Sequence, residues 1–211
     1  FIFMKYKRLL LALYIILIFL FNPIIYNQQV IAQSENTGNT DEQLLFLLPD
    51  GWKEEFNDRT DSLSTTEYVP VAQSGDDWDE MLTIQILLDK PSSDPVKMMS
   101  GITNYLSKNC SAFDYKPIDI GGIDNNYPSL AVLVLCGREK DESQGYVSLL
   151  RGISGEENYF LLQKSWKTKP YDIKSKTPIN LEQRKFWLGY LSYLRICNQK
   201  RGNCPKNVKL D

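Results

Sequence analysis

Apolar residues fall into short segments, alternating or at helical spacing, along most of the chain after residue 43. Leu44-Leu45-Phe46-Leu47-Leu48 predicts a strand, Pro49-Asp50-Gly51 a turn, and Trp52 the start of another extended piece. Residues 65–71 alternate, with Tyr68 on one face and Glu67, Val69 and Val71 on the other. Residues 73–80 form a polar loop. Residues 81–89 predict a strand with Leu82, Ile84, Ile86 and Leu88 on one face. Ser92-Ser93-Asp94-Pro95 supplies capping residues and a first-turn proline. Val96, Met99, Ile102 and Leu106 then recur at helical spacing, which predicts a helix ending near Cys110. A strand follows at 115–120, closed by Gly121-Gly122. Residues 129–136 are apolar on both faces, the pattern of a strand covered on both sides. Residues 145–154 and 158–167 read as a hairpin joined near Gly155-Glu156. Pro178 opens a last helix whose apolar stripe is Leu181, Trp187, Leu188, Leu191 and Leu194.

This order of elements is that of an α+β fold, a mostly antiparallel sheet sandwiched by helices. With no internal repeat and no Pro/Gly-rich linker, residues 44–211 read as a single domain. Residues 33–43, QSENTGNTDEQ, are polar and read as a flexible leader.

The N-terminal segment reads as an address. Lys5, Lys7 and Arg8 precede an uncharged run from 9 to 25, and Val30-Ile31-Ala32 places modest residues at −3 and −1 of a cleavage site. That three-part pattern predicts a secretory signal peptide over 1–32, cleaved after Ala32 or one to two residues later. An uncleaved anchor is the competing reading, but the run is short for a span of about 20 residues and Pro23 interrupts it. No second run of spanning length follows, so no further membrane segment is expected.

Charge and cysteine content fit that address. Residues 1–32 carry three of the 24 basic residues and none of the 26 acidic ones, so the remainder holds 21 basic against 26 acidic, a net charge of −5. A mildly acidic chain offers no electrostatic case for binding nucleic acid or anionic lipid. The four cysteines, Cys110, Cys136, Cys197 and Cys204, are even in number and read as two disulfides in an oxidising compartment, periplasmic or secreted. The short spacing of Cys197 and Cys204 favours their pairing, which leaves Cys110 with Cys136. Neither spacing fits a four-cysteine zinc site or a C-x-x-C redox pair. The chain has no histidine, which excludes a Ser-His-Asp triad, a Cys-His dyad and every His-ligated metal site.

Leu48-Pro49-Asp50-Gly51-Trp52, the apolar strand at 81–88 with its capped helix, and Tyr159-Phe160-Leu161-Leu162 together resemble the PsbP-like superfamily over residues 44–196. The segments Thr66-Glu67-Tyr68-Val69-Pro70 and Met81-Leu82-Thr83-Ile84-Gln85, with the four cysteines, look more closely like a group of proteobacterial exported proteins without an assigned activity. The resemblance implies a sheet between helices and an exported destination. It implies no ion-retention role, because no residue here matches such a site.

Candidate chemistry is sparse. Asp76, Asp77, Asp79 and Glu80 are candidate calcium ligands around Trp78, although they lack the spacing of an EF-hand loop and also read as a solvated turn. The aromatics Tyr68, Trp78, Tyr127, Tyr146, Tyr159 and Trp166 would form a groove or partner surface if exposed, with Tyr68, Trp78, Tyr127 and Trp166 as the candidates; the same residues also suit a core. Lys164, Lys167, Lys169, Lys174, Lys176, Arg184 and Lys185 make a basic stretch that could meet an acidic partner or polysaccharide and that also reads as an ordinary solvated edge and loop. No catalytic residue and no cofactor is expected. The favoured reading is an exported, non-enzymatic domain that binds a protein partner or stabilises a cell-envelope assembly. Alternatives are a small-ligand or metal-ion module and a histidine-free carboxylate enzyme.

Overall fold

Strand β5 (Glu80–Leu87) shows how alternation builds this molecule: Leu82, Ile84 and Ile86 enter one core, while Met81, Thr83 and Gln85 face the opposite side of the sheet. The computed structural model describes residues 33–36, 41–119, 127–140 and 143–205, all within one compact unit. The signal segment 1–32, part of the leader, the Gly121-Gly122 turn and the last residues of the expected domain lie outside the described residues.

Before β5 come β1 (Gln33–Asn36), β2 (Glu42–Phe46), β3 (Trp52–Arg59) and β4 (Leu63–Pro70). After it come α1 (Pro95–Ser107), β6 (Cys110–Ile118), β7 (Ser129–Glu139), β8 (Gly145–Ser154), β9 (Tyr159–Thr168), α2 (Leu181–Tyr193) and β10 (Arg195–Asn198). Seven strands form one sheet in the order β3-β4-β5-β9-β8-β7-β6, and β1-β2-β10 form a second; every pairing is antiparallel. The fold is α+β, as the order of elements predicts.

The topology is two meanders joined at β5 and β9. From β5 the chain crosses one face through α1, reaches the far edge at β6, and winds back through β7 and β8 to lay β9 beside β5. Asp94 caps α1 by accepting from the Val96 N–H at 2.8 Å, and Pro95 occupies the first turn. α1 packs Met99, Ile102 and Leu106 over Val132, Val134, Leu150 and Leu161. The other face carries α2 and the small sheet. There Trp187, Leu191, Leu44, Phe46 and Ile196 meet Leu82, Ile84, Phe160 and Leu162. Arg151, buried on β8, reaches across to donate to the carbonyls of Leu191 at 2.5 Å and Leu194 at 3.1 Å, a cation at the C-terminal end of α2.

The cysteines pair as their spacing predicts. Cys110–Cys136 ties β6 to β7, and Cys197–Cys204 closes the loop after β10. Disulfides persist in oxidising compartments. Among the described residues, no helix is long and apolar enough to cross a membrane.

Several elements depart from the sequence pattern. Residues 33–43 are not all leader: β1 pairs with β2, and Glu42 and Gln43 are buried members of β2. Their polarity hid this, because β1 is held by backbone pairing and Glu42 by backbone N–H groups, not by an apolar face. β6 begins at Cys110, five residues before the predicted start, through two register irregularities that break its alternation. α2 begins at Leu181, where Asn180 accepts from the Gln183 N–H at 2.8 Å. The four-residue β10, with no alternation long enough to read, exists because β2 offers it a partner.

Candidate functional site

The path of α1 determines which part of the sheet stays open. α1 lies against β6, β7 and β8, and beyond it β9, β5 and β4 present their side chains on that face without a helix above them. Alternation places Leu161, Gln163 and Ser165 of β9, Met81, Thr83 and Gln85 of β5, and Glu67 of β4 along this floor. Gly101, Ile102, Tyr105 and Leu106 of α1 form one wall, and Trp78 stands on the loop that leads into β5. The result is a trough of about 520 Å³, within the size range of ligand sites.

The floor mixes apolar and hydrogen-bonding side chains, with Leu161 and Met81 among Gln163, Ser165, Thr83 and Gln85. Gln163 donates its Nε2 to Ser165 Oγ at 2.8 Å, and Ser165 Oγ in turn lies 2.8 Å from Ser148 Oγ. Gln85 donates its Nε2 to Thr65 Oγ1 at 3.4 Å. Glu67 is half-buried, and desolvation pushes its carboxyl above the usual carboxylate range. Among the described residues no hydrogen bond or ion pair reaches that carboxylate. Lys167 places its ammonium 4.3 Å from the centroid of Trp78.

The opposite face of β9 holds a second constellation. Lys164, read from sequence as part of a solvated basic edge, is fully buried. Its Nζ lies 4.6 Å from the ring centroid of Trp52, 4.8 Å from Trp166 and 4.6 Å from Trp187, and donates to Glu80 Oε2 at 2.7 Å. Burial pushes its pKa down to about 8, against the opposing pull of Glu80. The correction has a simple cause: Lys164 occupies the same face of β9 as Phe160, Leu162 and Trp166, so the period of two carries it inward. The signal was in the sequence, but a run of lysines masked it.

Other candidates fall in different places. Asp76, Asp77 and Asp79 are exposed, and Glu80 turns to Lys164. Gln73 Oε1 accepts from the N–H groups of Asp79 at 2.8 Å and Glu80 at 3.2 Å, which shapes the loop. Among the described residues no three of His, Cys, Asp or Glu come together to hold a metal ion. Of the candidate partner surface, Tyr68, Tyr127 and Trp166 are buried and belong to the core. Tyr68 meets Phe46 edge-on at 5.7 Å, and Trp166 belongs to the lysine cage. Trp78 alone of the four lines the trough.

One structural carboxylate was missed. Glu42, fully buried, accepts from the backbone N–H groups of Glu156 at 2.5 Å, Glu157 at 3.0 Å and Asn158 at 3.0 Å, so β2 caps the β8–β9 turn. Nothing in a polar leader signals a partner 114 residues away.

No family model matches the chain, and no curated protein matches it.

Proposed function

We propose that this chain is an exported, disulfide-braced, non-enzymatic domain that binds a protein partner, and that its binding surface is the trough beside α1. The observation that carries this reading is the uncovered half-face of the sheet. Thr83, Gln85, Gln163 and Glu67 are hydrogen-bonding groups set among Met81, Leu161, Trp78 and Tyr105, the mixture of aromatic and polar groups that specific surfaces use. Tyr105 is two-thirds exposed on the wall, an aromatic with little packing to account for its placement. Export rests on the signal pattern over 1–32 and is supported by the two disulfides. The PsbP-like reading is supported by the antiparallel sheet with a helix on each face.

Gly101 supplies the test. A Cβ there meets nothing within 4 Å, and the residue lines the trough, so Gly101→Trp places a bulky ring at the opening. A partner captured from the envelope fraction by the native chain and lost with Gly101→Trp, at unchanged melting temperature, is the expected result. Equal capture by both proteins would place the partner elsewhere.

A further inference from the structure

We infer that the trough receives a basic side chain, lysine or arginine, presented by the protein partner. This rests on the reading of the trough as the binding surface and assigns its chemistry.

Two features of the floor point the same way. Gln163 and Gln85 hold their amide nitrogens on Ser165 and Thr65, which leaves both amide oxygens without a donor among the described residues. Glu67, on the strand next to Gln85, adds the one carboxylate that lines the trough, and it too has no partner among the described residues. Trp78, at the same opening, already carries an ammonium group on its ring, that of Lys167. Acceptors and a negative charge are together the complement of a cation with several donors, and because Lys167 engages the Trp78 ring, the incoming cation is left to Glu67 and the two amide oxygens.

The energetics favour the same ligand. Glu67 has already been partly desolvated by folding, which is why its carboxyl rests above the usual range. An incoming guanidinium or ammonium supplies a charge partner in place of the lost hydration. On the floor itself a carboxylate or phosphate would face the Glu67 charge and undonated oxygens, while the Lys167 ammonium is held on the Trp78 ring at the opening. Because the cation favours ionised Glu67, affinity falls as pH is lowered through the carboxylate range and Glu67 becomes protonated.

The test uses the whole chain, titrated by two-dimensional NMR with acetyl-GSRSG-amide, with its lysine counterpart, and with a peptide carrying uncharged citrulline in place of arginine. Expected are saturable shifts on β4, β5, β9 and α1 with the basic peptides, and at least tenfold weaker binding by the citrulline peptide. Glu67→Gln, which keeps the side-chain shape, should weaken the arginine peptide about tenfold without moving the melting temperature. Equal affinity for arginine and citrulline, full affinity in Glu67→Gln, shifts confined to another surface, or no binding at all would each overturn the inference. Tighter binding of spermidine than of either peptide would overturn it in favour of a free polyamine. The citrulline comparison needs no variant, so it stands if Glu67→Gln fails to fold. If the basic peptides fail while partner capture remains sensitive to Gly101→Trp, the basic side chain is wrong and the trough is right. Capture insensitive to Gly101→Trp removes the trough itself.

Discussion

Lys164 Nζ lies 2.7 Å from Glu80 Oε2, diagonally across the β5–β9 pairing, and the lysine side chain exposes no surface to water while the glutamate keeps 30% of its own. The pair is therefore asymmetric. Solvent stabilises the carboxylate, whereas the ammonium depends on that one carboxylate, a backbone carbonyl and three tryptophan faces. Trp52 on β3, Glu80 on β5, Trp166 on β9 and Trp187 on α2 converge on it, so one cation joins four elements.

The asymmetry gives Lys164 a signature in the alkaline range. Its folded pKa is about 8, below the ordinary 10.5, so between those values the unfolded chain binds the proton and the native chain does not. Stability from this group accordingly rises as pH increases from 8 to 10.5 and is flat below 8, where both states are charged. The rise is about 3 kcal/mol at roughly 1.4 kcal/mol per pH unit. Tyr159, Tyr171 and Tyr190, pushed up by burial, act in the opposite direction above pH 10. The difference between the native chain and Lys164→Met removes their share. Urea unfolding of both proteins across pH 7–10.5 should show that difference climbing; a flat difference would mean that Lys164 is not held in this environment.

Removing the carboxylate should be harsher than removing the amine. Glu80→Ala removes the one carboxylate that holds the enclosed ammonium; because the amine can shed its proton instead, the cost at pH 7, one unit below its pKa of about 8, is about 1.4 kcal/mol. Since Glu80 raises the Lys164 pKa, its loss also pushes that pKa lower still. The cost should therefore shrink at pH 9.5, where the neutral amine needs no partner. Chemical denaturation at the two pH values checks the trend, and a cost independent of pH would contradict it.

Glu42 supports the β8–β9 turn from a distant strand. Glu42→Ala leaves three backbone N–H groups without their acceptor and should cost about 3 kcal/mol. Gly155→Ala should be comparably damaging, because a Cβ at 155 runs into the Glu42 carboxylate and lies 2.8 Å from the Asn158 carbonyl oxygen. Thermal unfolding of both variants measures this. Glu156→Ala, which removes an exposed ion pair with Arg201, should shift the melting temperature far less.

The two disulfides should contribute unequally. Cys110 and Cys136 are 26 residues apart and Cys197 and Cys204 are 7 apart. Loop closure then assigns about 3.5 kcal/mol to the first and about 2.5 kcal/mol to the second. Denaturing the unreduced protein should release no reactive thiol, and prior reduction should release four. Serine replacement of each pair, followed by unfolding, should rank Cys110–Cys136 above Cys197–Cys204.

What was legible in the sequence is what short-range pattern encodes. Leu82, Ile84 and Ile86 announce the face of β5 because the side-chain period in a strand is two, and Asp94-Pro95 announces the start of α1 because a cap needs an acceptor and a proline lacks a donor. The spacing of the cysteines favours the pairing that the structure shows, since a separation of seven closes a loop easily. The candidate site was legible only in part. Trp78 was named and does line the trough, but Tyr68 and Trp166 were named beside it and are core. Aromatic residues look the same in sequence whether they pack or bind, and only the path of α1 over β6–β8 decides which face of the sheet is left open. Glu67 and Gln163 become neighbours across that opening through the β4–β5 and β5–β9 pairings, separated by nearly a hundred residues of chain. Lys164 shows the same limit from the other side. Its own strand carries it inward, but three tryptophans and a glutamate from four elements make an enclosed charge tolerable, and no local pattern records their convergence.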